Sequence, residues 1–216
     1  MRAAGALVAL AVGVAPVAVR AQSLTGTAEG FNLQRRVYYQ GAVYQQAGVW
    51  YGAAGAVRLG PVRVALSGMM GTLSGGGATN PDAQMRTTAA SVHIVLAPWF
   101  AVGVQAEARR FATDAGITTW RLVGGNVRLE PGLGLAGLTG VAEASVLPAS
   151  SVSGGPSIGS ALQATVGASY TPPGSLLVFR LGYRFERYDI GASGASPERY
   201  EQFRGIIAEA GIHLGR

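Results

Sequence analysis

The chain has 216 residues, enough for one domain, with 33 glycines and only 13% charged side chains. It contains no Cys, which excludes a disulfide framework and a thiolate metal site, and no Lys, which excludes Schiff-base chemistry on lysine. Its net charge of +6 comes from scattered arginines without interleaved aromatic clusters, so the sequence indicates no nucleic-acid partner.

Residues 1–22 have the pattern of a cleaved secretory signal peptide. A short basic start precedes an apolar stretch at 3–19, and residues 19–21 form a small-x-small cleavage site that would make Gln22 the first mature residue. The alternative is a membrane anchor, but the stretch is rich in Ala and Gly and shorter than the ~20 residues that a spanning helix needs. We therefore predict export, with residues 23–216 forming a single domain.

Alternation of apolar and polar residues predicts ten strands in the mature chain. The predicted strands are 24–34, 48–59, 62–73, 85–97, 99–111, 119–130, 133–147, 159–171, 176–188 and 202–214. Long connections at 35–47, 74–84, 112–118, 148–158 and 190–201 alternate with short turns at Gly60-Pro61, Pro98, Pro131-Gly132 and Pro172-Pro173-Gly174. The first strand is the weakest, so eight or twelve strands stay open, and Gly124-Gly125 predicts a β-bulge or kink.

The segment 176–188, LLVFRLGYRFERY, shows the alternation most clearly. Because side chains of a strand point to opposite faces in turn, one face is apolar and the other carries Arg180, Arg184 and Glu186. This pattern is typical of a strand with lipid on one side and a polar lumen on the other. No apolar run in the mature chain is long enough for a spanning helix, and only a closed barrel pairs all strand backbone groups in lipid.

The pattern of the mature chain resembles that of small bacterial outer-membrane β-barrel proteins, without a diagnostic motif. The resemblance implies an all-β fold, a transmembrane antiparallel up-and-down β-barrel at residues 23–216 in the outer membrane. It also implies contact with outer-membrane lipid and insertion by the barrel assembly machinery. We expect long loops outside the cell and short turns in the periplasm.

The polar faces of the predicted strands carry charges of both signs. We expect a luminal network of Arg58, Arg63, Arg109, Arg121, Arg128, Arg180, Arg184, Glu29, Glu107, Glu130, Glu143, Glu186 and Glu209. Eight-stranded barrels are just filled by side chains, and buried charges need partners. The sequence therefore predicts a plugged or very narrow lumen held by bidentate Arg–Glu pairs. If the lumen conducts, the slight excess of Arg favours anions.

Aromatic residues cluster at the ends of the predicted strands rather than in their middles. Two interfacial belts are expected in such barrels. We assign Trp50, Tyr51, Trp120, Phe185 and Tyr188 to the external belt and Trp99, Phe100 and Tyr170 to the periplasmic belt.

Two enzymatic alternatives and a metal site are disfavoured. Omptin-type proteases also use ten strands, with acidic residues and a His near the external rim. Here all three Asp lie in predicted external loops, whereas His93 and His213 lie near periplasmic strand ends, too far to act as their base.

The inward pair Ser91 and His93 cannot meet a lipid ester, which disfavours a lipid esterase. Two His without acidic residues at ligand spacing predict no metal, and we expect no cofactor; both His are predicted to bond luminal Glu.

The main functional hypothesis is a non-enzymatic outer-membrane barrel, either structural or a narrow pore with a charged, largely plugged lumen. The first alternative is a surface-binding or adhesion barrel that acts through the external connections 35–47 and 190–201. The second is a secreted soluble β-protein, which the outward apolar bands disfavour. The sequence does not distinguish between a small anion and a molecule at the cell surface as the ligand.

Overall fold

The computed structural model describes residues 22–75, 82–114, 116–154, 157–191 and 199–215 as one closed barrel. Its strands are β1 Ser23–Tyr39, β2 Ala42–Leu59, β3 Val62–Ser74, β4 Ala83–Ala97, β5 Phe100–Thr113, β6 Gly116–Leu129, β7 Leu138–Ser153, β8 Ile158–Tyr170, β9 Leu177–Ile190 and β10 Arg199–Gly215. Each strand pairs antiparallel with its neighbours in the chain, and β1 closes the barrel against β10. The predicted ten-stranded barrel is confirmed, whereas residues 1–21 of the predicted signal lie outside the described part.

The outer surface of the barrel is largely apolar. Within the described ranges, no helix is long and apolar enough to span a bilayer. Outward positions on most strands are exposed Leu, Val, Ile, Phe or Tyr, as the alternation predicts for a lipid-facing surface.

The predicted loop at 35–47 is wrong, because the chain forms a hairpin there. β1 continues to Tyr39, a two-residue turn follows at Gln40 and Gly41, and β2 begins at Ala42. Both turn residues have positive φ, 49° and 78°, which is the geometry that joins two twisted strands with the fewest residues. The tyrosines of this segment favour strand over loop.

β7 also differs from its prediction. It begins at Leu138 instead of residue 133 and continues to Ser153, through the predicted loop at 148–158. Val123 pairs with Ala149 and Gly125 with Val146, so the bulge lies opposite Gly124-Gly125, with the extra residue in β7. Pro148, which has no N–H for the ladder, stands at this bulge.

The two ends of the barrel differ. We call the end with the β1–β2, β3–β4, β5–β6, β7–β8 and β9–β10 connections the loop end, and the opposite end, with the other connections and residues 22 and 215, the turn end. Short turns of bacterial barrels generally face the periplasm, so the expectation that the loop end lies outside the cell applies to this end. At the loop end the β2–β3 ladder stops at Ala47, while β1, β2 and β10 pair as far as Tyr39. The projecting hairpin, residues 35–46, therefore extends past the end of the β2–β3 ladder, while β10 pairs along its other strand.

Candidate functional site: the filled lumen

The half of the lumen next to the loop end is filled by an apolar cluster, which we call the plug. Strand alternation turns its side chains inward, where they pack together almost without exposure. The plug consists of Phe31, Leu33, Trp50, Met69, Leu73, Ala83, Met85, Phe111, Trp120, Leu122, Leu147, Ile158, Ala161, Tyr188, Ile190, Phe203 and Ile207.

Aromatic rings form the centre of the plug. The ring centroids of Phe111 and Trp120 are 4.7 Å apart, those of Trp120 and Tyr188 5.0 Å, and those of Tyr188 and Phe203 5.6 Å at 87°. Phe31 meets Trp50 edge to face at 6.2 Å. These distances and tilted geometries are those of favourable aromatic pairs, so the rings pack as a core rather than lining a channel.

The assignment of Trp50, Trp120 and Tyr188 to an interfacial belt is wrong. All three are buried in the plug, with at most 3% of each side chain exposed. Trp50 has space because β3 presents Gly71 beside it: a Cβ on that glycine would lie 2.5 Å from Trp50 Cδ1.

The remaining predicted interface aromatics are placed differently. Tyr51, Trp99 and Tyr170 are exposed, and Phe185 faces outward with partial exposure. Phe100 stacks on Trp99 with ring centroids 5.7 Å apart, and both line the inner rim of the turn end.

Charged groups close the plug on both sides. Towards the loop end, Arg35 and Arg199 both bind Glu201, at 2.6 and 2.8 Å. On the other side, the fully buried Arg109 binds Glu107 Oε1 at 3.0 Å and Glu186 Oε2 at 2.7 Å.

The Arg109 guanidinium also lies against plug rings. Its carbon is 4.9 Å from the ring centroids of Tyr188 and Phe203 and 5.6 Å from that of Trp50. Contacts of this kind stabilise a desolvated cation. Arg184 and the Tyr188 hydroxyl bind Glu186 at 2.7 and 3.0 Å. The charges at this level are therefore held by several strands at once.

A buried hydrogen-bond chain continues from this layer towards the turn end. Gln163 Nε2 donates to Glu107 at 2.7 Å, and Gln105 Nε2 donates to Gln163 at 2.8 Å. Asn126 Nδ2 donates to Gln105 at 3.1 Å, and the ring Nε2 of His93 bonds Asn126 Oδ1. The chain links β4, β5, β6 and β8 by hydrogen bonds between buried side chains across the lumen.

The lumen next to the turn end contains water-sized space, which we call the cup. It comprises cavities of about 160 and 330 Å³, the second of them at the turn end. Thr25, Ala56, Arg63, Arg128 and Arg180 line both cavities, so the two are neighbouring parts of one space. The cup opens at the turn end and stops at the plug.

Arginines of the cup bind carboxylates on its wall. Arg128 bridges Glu130 at 2.7 Å and Glu143 at 2.5 Å. One nitrogen of Arg180 donates to both oxygens of Glu209, at 3.1 and 2.9 Å. Neither arginine forms the fork-to-fork pair that we predicted, because Arg128 divides its nitrogens between two carboxylates and Arg180 uses a single nitrogen.

All members of the predicted charge network except Arg121 face the lumen. The separation of seven residues between Arg121 and Arg128 puts them on opposite faces of a regular strand. Because the bulge lies in β7, the alternation of β6 is uninterrupted, and Arg121 is exposed on the outside. The sequence analysis missed Arg35, Arg199 and Glu201 because it assigned their segments to loops.

The structure does not bring the histidines to the aspartates. His93 is buried and bonds Asn126, and His213 bonds the Thr25 hydroxyl at 2.8 Å near the turn end. The predicted bonds of these histidines to Glu are thus wrong. Asp189 binds Arg187 at 2.8 Å on the outer surface. The described residues include no group of three His, Cys, Asp or Glu that could hold a metal ion.

No family model and no curated protein matches the sequence. Among solved structures, the chain is similar to the outer membrane protease OmpT from Escherichia coli, at 10% identity over 91% of this chain and 98% of that one, with a TM-score of 0.58. It also matches the translocator domain of autotransporter NalP from Neisseria meningitidis, at 12% identity over 88% of each chain and a TM-score of 0.45. The likeness to OmpT shows the fold alone: this chain has the fold of the small bacterial outer-membrane β-barrels.

Proposed function

We propose that this protein is a non-enzymatic outer-membrane barrel that solutes do not cross, with a structural role in the membrane. The observation that carries the proposal is the plug, whose rings and aliphatic side chains fill the bore from wall to wall. The cup below it is a blind, water-accessible recess on the periplasmic side. Asp82, Asp189 and both histidines each bind a group other than one another, which supports a non-enzymatic barrel.

The energetics of the plug favour a closed state. Exposing one buried ring costs roughly 1.5–3 kcal/mol, and breaking a buried ion pair costs roughly 3–5 kcal/mol. A path past Phe203 and Arg109 requires both, or roughly 5 kcal/mol or more. Since about 1.4 kcal/mol is a factor of ten in population, fewer than about one molecule in a thousand would be open at a time.

Single-channel conductance of the refolded mature protein in a planar bilayer tests the closed lumen. We expect the wild type to be silent and the variant Arg109→Ala/Phe203→Ala to give discrete steps, because it removes the charged floor and one ring of the plug. The matched control Phe179→Ala/Arg204→Ala removes the same residue types from the outer surface and should stay silent.

Heat-modifiable gel migration reports folding in each case, and the single variant Phe203→Ala serves if the double variant does not fold. Steps from the wild type as large as those from the opened variant would contradict the proposal.

A second candidate function is binding at the cell surface, which the projecting hairpin favours. Tyr38 and Tyr200 stack on its outer side with ring centroids 4.1 Å apart, and the Arg187 guanidinium lies 4.5 Å from the Tyr200 ring. Stacked rings beside arginine suit a polyanionic polysaccharide. We expect cells that display the protein to adhere to immobilised heparin, and replacement of residues 37–44 by Asn-Gly to abolish adhesion. Equal adhesion after this shortening would exclude the hairpin as the binding site.

A further inference from the structure

Charge on the outer surface of the barrel is confined to the part near the loop end. Outward positions of the described strands near the turn end are uncharged and largely apolar. Among the described strands, Asp189 is the one acidic side chain at an outward position near the loop end, and Asp82 and Asp114 stand just beyond the loop-end termini of β4 and β5. Outward arginines occur there on six of these strands. They are Arg36, Arg86, Arg110, Arg121, Arg187 and Arg204. The outer surface therefore has a basic rim above an apolar band.

Three of these arginines form a compact group on adjacent strands. Arg86 on β4 and Arg110 on β5 are direct register partners. Arg121 on β6 pairs with Ala108, which makes it the diagonal neighbour of Arg110. Direct partners have Cβ atoms roughly 5 Å apart and diagonal neighbours roughly 7–8 Å. We call Arg86, Arg110 and Arg121 the arginine triad.

The arginine triad has no ion-pair partner among the residues that the structure describes. All three side chains are exposed, and none makes a hydrogen bond or ion pair with any residue that the structure describes. Like charges directly opposite each other in a sheet are destabilising. An arrangement of this kind is favourable when a ligand supplies negative charge.

The surroundings indicate an amphiphilic ligand rather than a free ion. Thr119, the register partner of Arg110, adds a hydroxyl group on the same outer face. Towards the turn end, the same three strands present Val92, Val104 and Val123, each between 44% and 59% exposed. A cationic group thus lies directly above an apolar surface that faces lipid.

We propose that the arginine triad binds the phosphate of an anionic lipid headgroup in the outer leaflet, with the acyl chains of that lipid on the valines below. Guanidinium groups match phosphate oxygens in fork geometry, and basic residues at a membrane surface attract anionic lipid. The lipid supplies both the counter-charge and the apolar cover. This site does not depend on whether the lumen conducts.

The other outward arginines provide an internal comparison. Arg187 on β9 already binds Asp189 at 2.8 Å and lies over the Tyr200 ring. Arg187→Gln therefore removes one positive charge from the basic rim, as each substitution in the triad does. The charge that it removes is already paired with Asp189. Arg187→Gln is the matched control for substitutions in the triad.

The test is lipid binding by the refolded mature protein in vesicles of phosphatidylcholine containing diphosphorylated or dephosphorylated lipid A, with bound lipid measured by native mass spectrometry. We expect the wild type to retain the phosphorylated form at least about tenfold better, because its phosphates form charge-assisted contacts with the triad that the dephosphorylated lipid lacks. The variant Arg86→Gln/Arg110→Gln/Arg121→Gln should lose this preference, and Arg187→Gln should keep it.

Several outcomes would overturn the site. Equal retention of the two lipids by the wild type, an unchanged preference in the triple variant, or equal losses in the triple variant and Arg187→Gln would each do so. Displacement of the lipid by inorganic phosphate alone would show a free-anion site instead of a headgroup site. Heat-modifiable gel migration confirms that each variant is folded. The variants should fold because replacing these exposed arginines with Gln removes charge repulsion and no buried packing contact.

Discussion

The two halves of the lumen are built by the same ten strands, yet one is dry and the other is wet. Inward positions near the loop end carry rings and aliphatic side chains, so the bore closes around them. Inward positions near the turn end carry small or hydroxylated residues such as Ala54, Ala65 and Thr27, and a cup remains. Strand number therefore does not decide whether a barrel of this width is open; the volume of inward side chains does.

The difference also decides what a charge costs. Arg109 is fully buried between Glu107 and Glu186, whereas Arg180 lies on the wall of the cup with 19% of its side chain exposed. Water can replace a lost partner in the cup but not beside the plug. The energetic effect of the same substitution should therefore depend on the half in which it is made.

The largest expected effect is at Arg109. Arg109→Met keeps much of the side-chain volume but leaves the buried Glu107 carboxylate without its cationic partner, which should cost about 3–5 kcal/mol. Arg180→Met leaves Glu209 beside water and should cost only about 1 kcal/mol. Urea unfolding of the refolded protein in detergent micelles, followed by tryptophan fluorescence, measures both. Equal losses would mean that the cup is as dry as the plug.

A smaller effect is expected where the plug has no room for an added methyl group. Gly71→Ala places a Cβ within 2.5 Å of Trp50 Cδ1 and the Val49 carbonyl oxygen, so the ring and strand must move. Overpacking of this kind costs about 1–3 kcal/mol. The control is Gly55→Ala on β2, where the nearest atom to the added Cβ is 3.8 Å away.

The near-ultraviolet circular dichroism of Trp50 and the unfolding midpoint report the outcome of this pair. A change at Gly71 and none at Gly55 is expected. If Gly71→Ala leaves both signals unchanged, the packing of Trp50 against β3 is looser than the plug requires.

The sequence was sufficient for the strands and most of the inward charges, because period-two alternation is a local property. The sequence predicted a bulge at Gly124-Gly125 in β6. The structure has the bulge opposite these glycines, at Pro148 in the neighbouring strand β7. The hairpin at 35–46 was missed because its only turn signal is Gln40-Gly41, within a polar segment that reads equally well as a loop.

The plug was missed for a different reason. Aromatics at strand ends fit an interfacial belt as well as a filled lumen, and we assigned both Trp50 and Tyr51 to the belt. Adjacent residues of a regular strand face opposite sides, so one of the two had to point inward. Which of these two residues points inward depends on the register of the whole barrel, including the position of Gly71 on the neighbouring strand. A local sequence pattern does not determine that register.

The smallest expected effect, opposite in sign, is at Arg63 in the cup. Arg63 is the direct register partner of Arg58 and makes no ion pair with a described residue. Like charges directly opposite each other are unfavourable, so Arg63→Gln should raise the free energy of unfolding slightly, by up to about 0.5 kcal/mol. Because the cup has room for water and opens at the turn end, added salt should screen the repulsion and remove the gain. Unfolding midpoints at low and high salt measure this effect. If Arg63→Gln lowers the free energy of unfolding by more than about 1 kcal/mol at either salt, Arg63 has a buried partner and the water-accessible half of the lumen is smaller than described above.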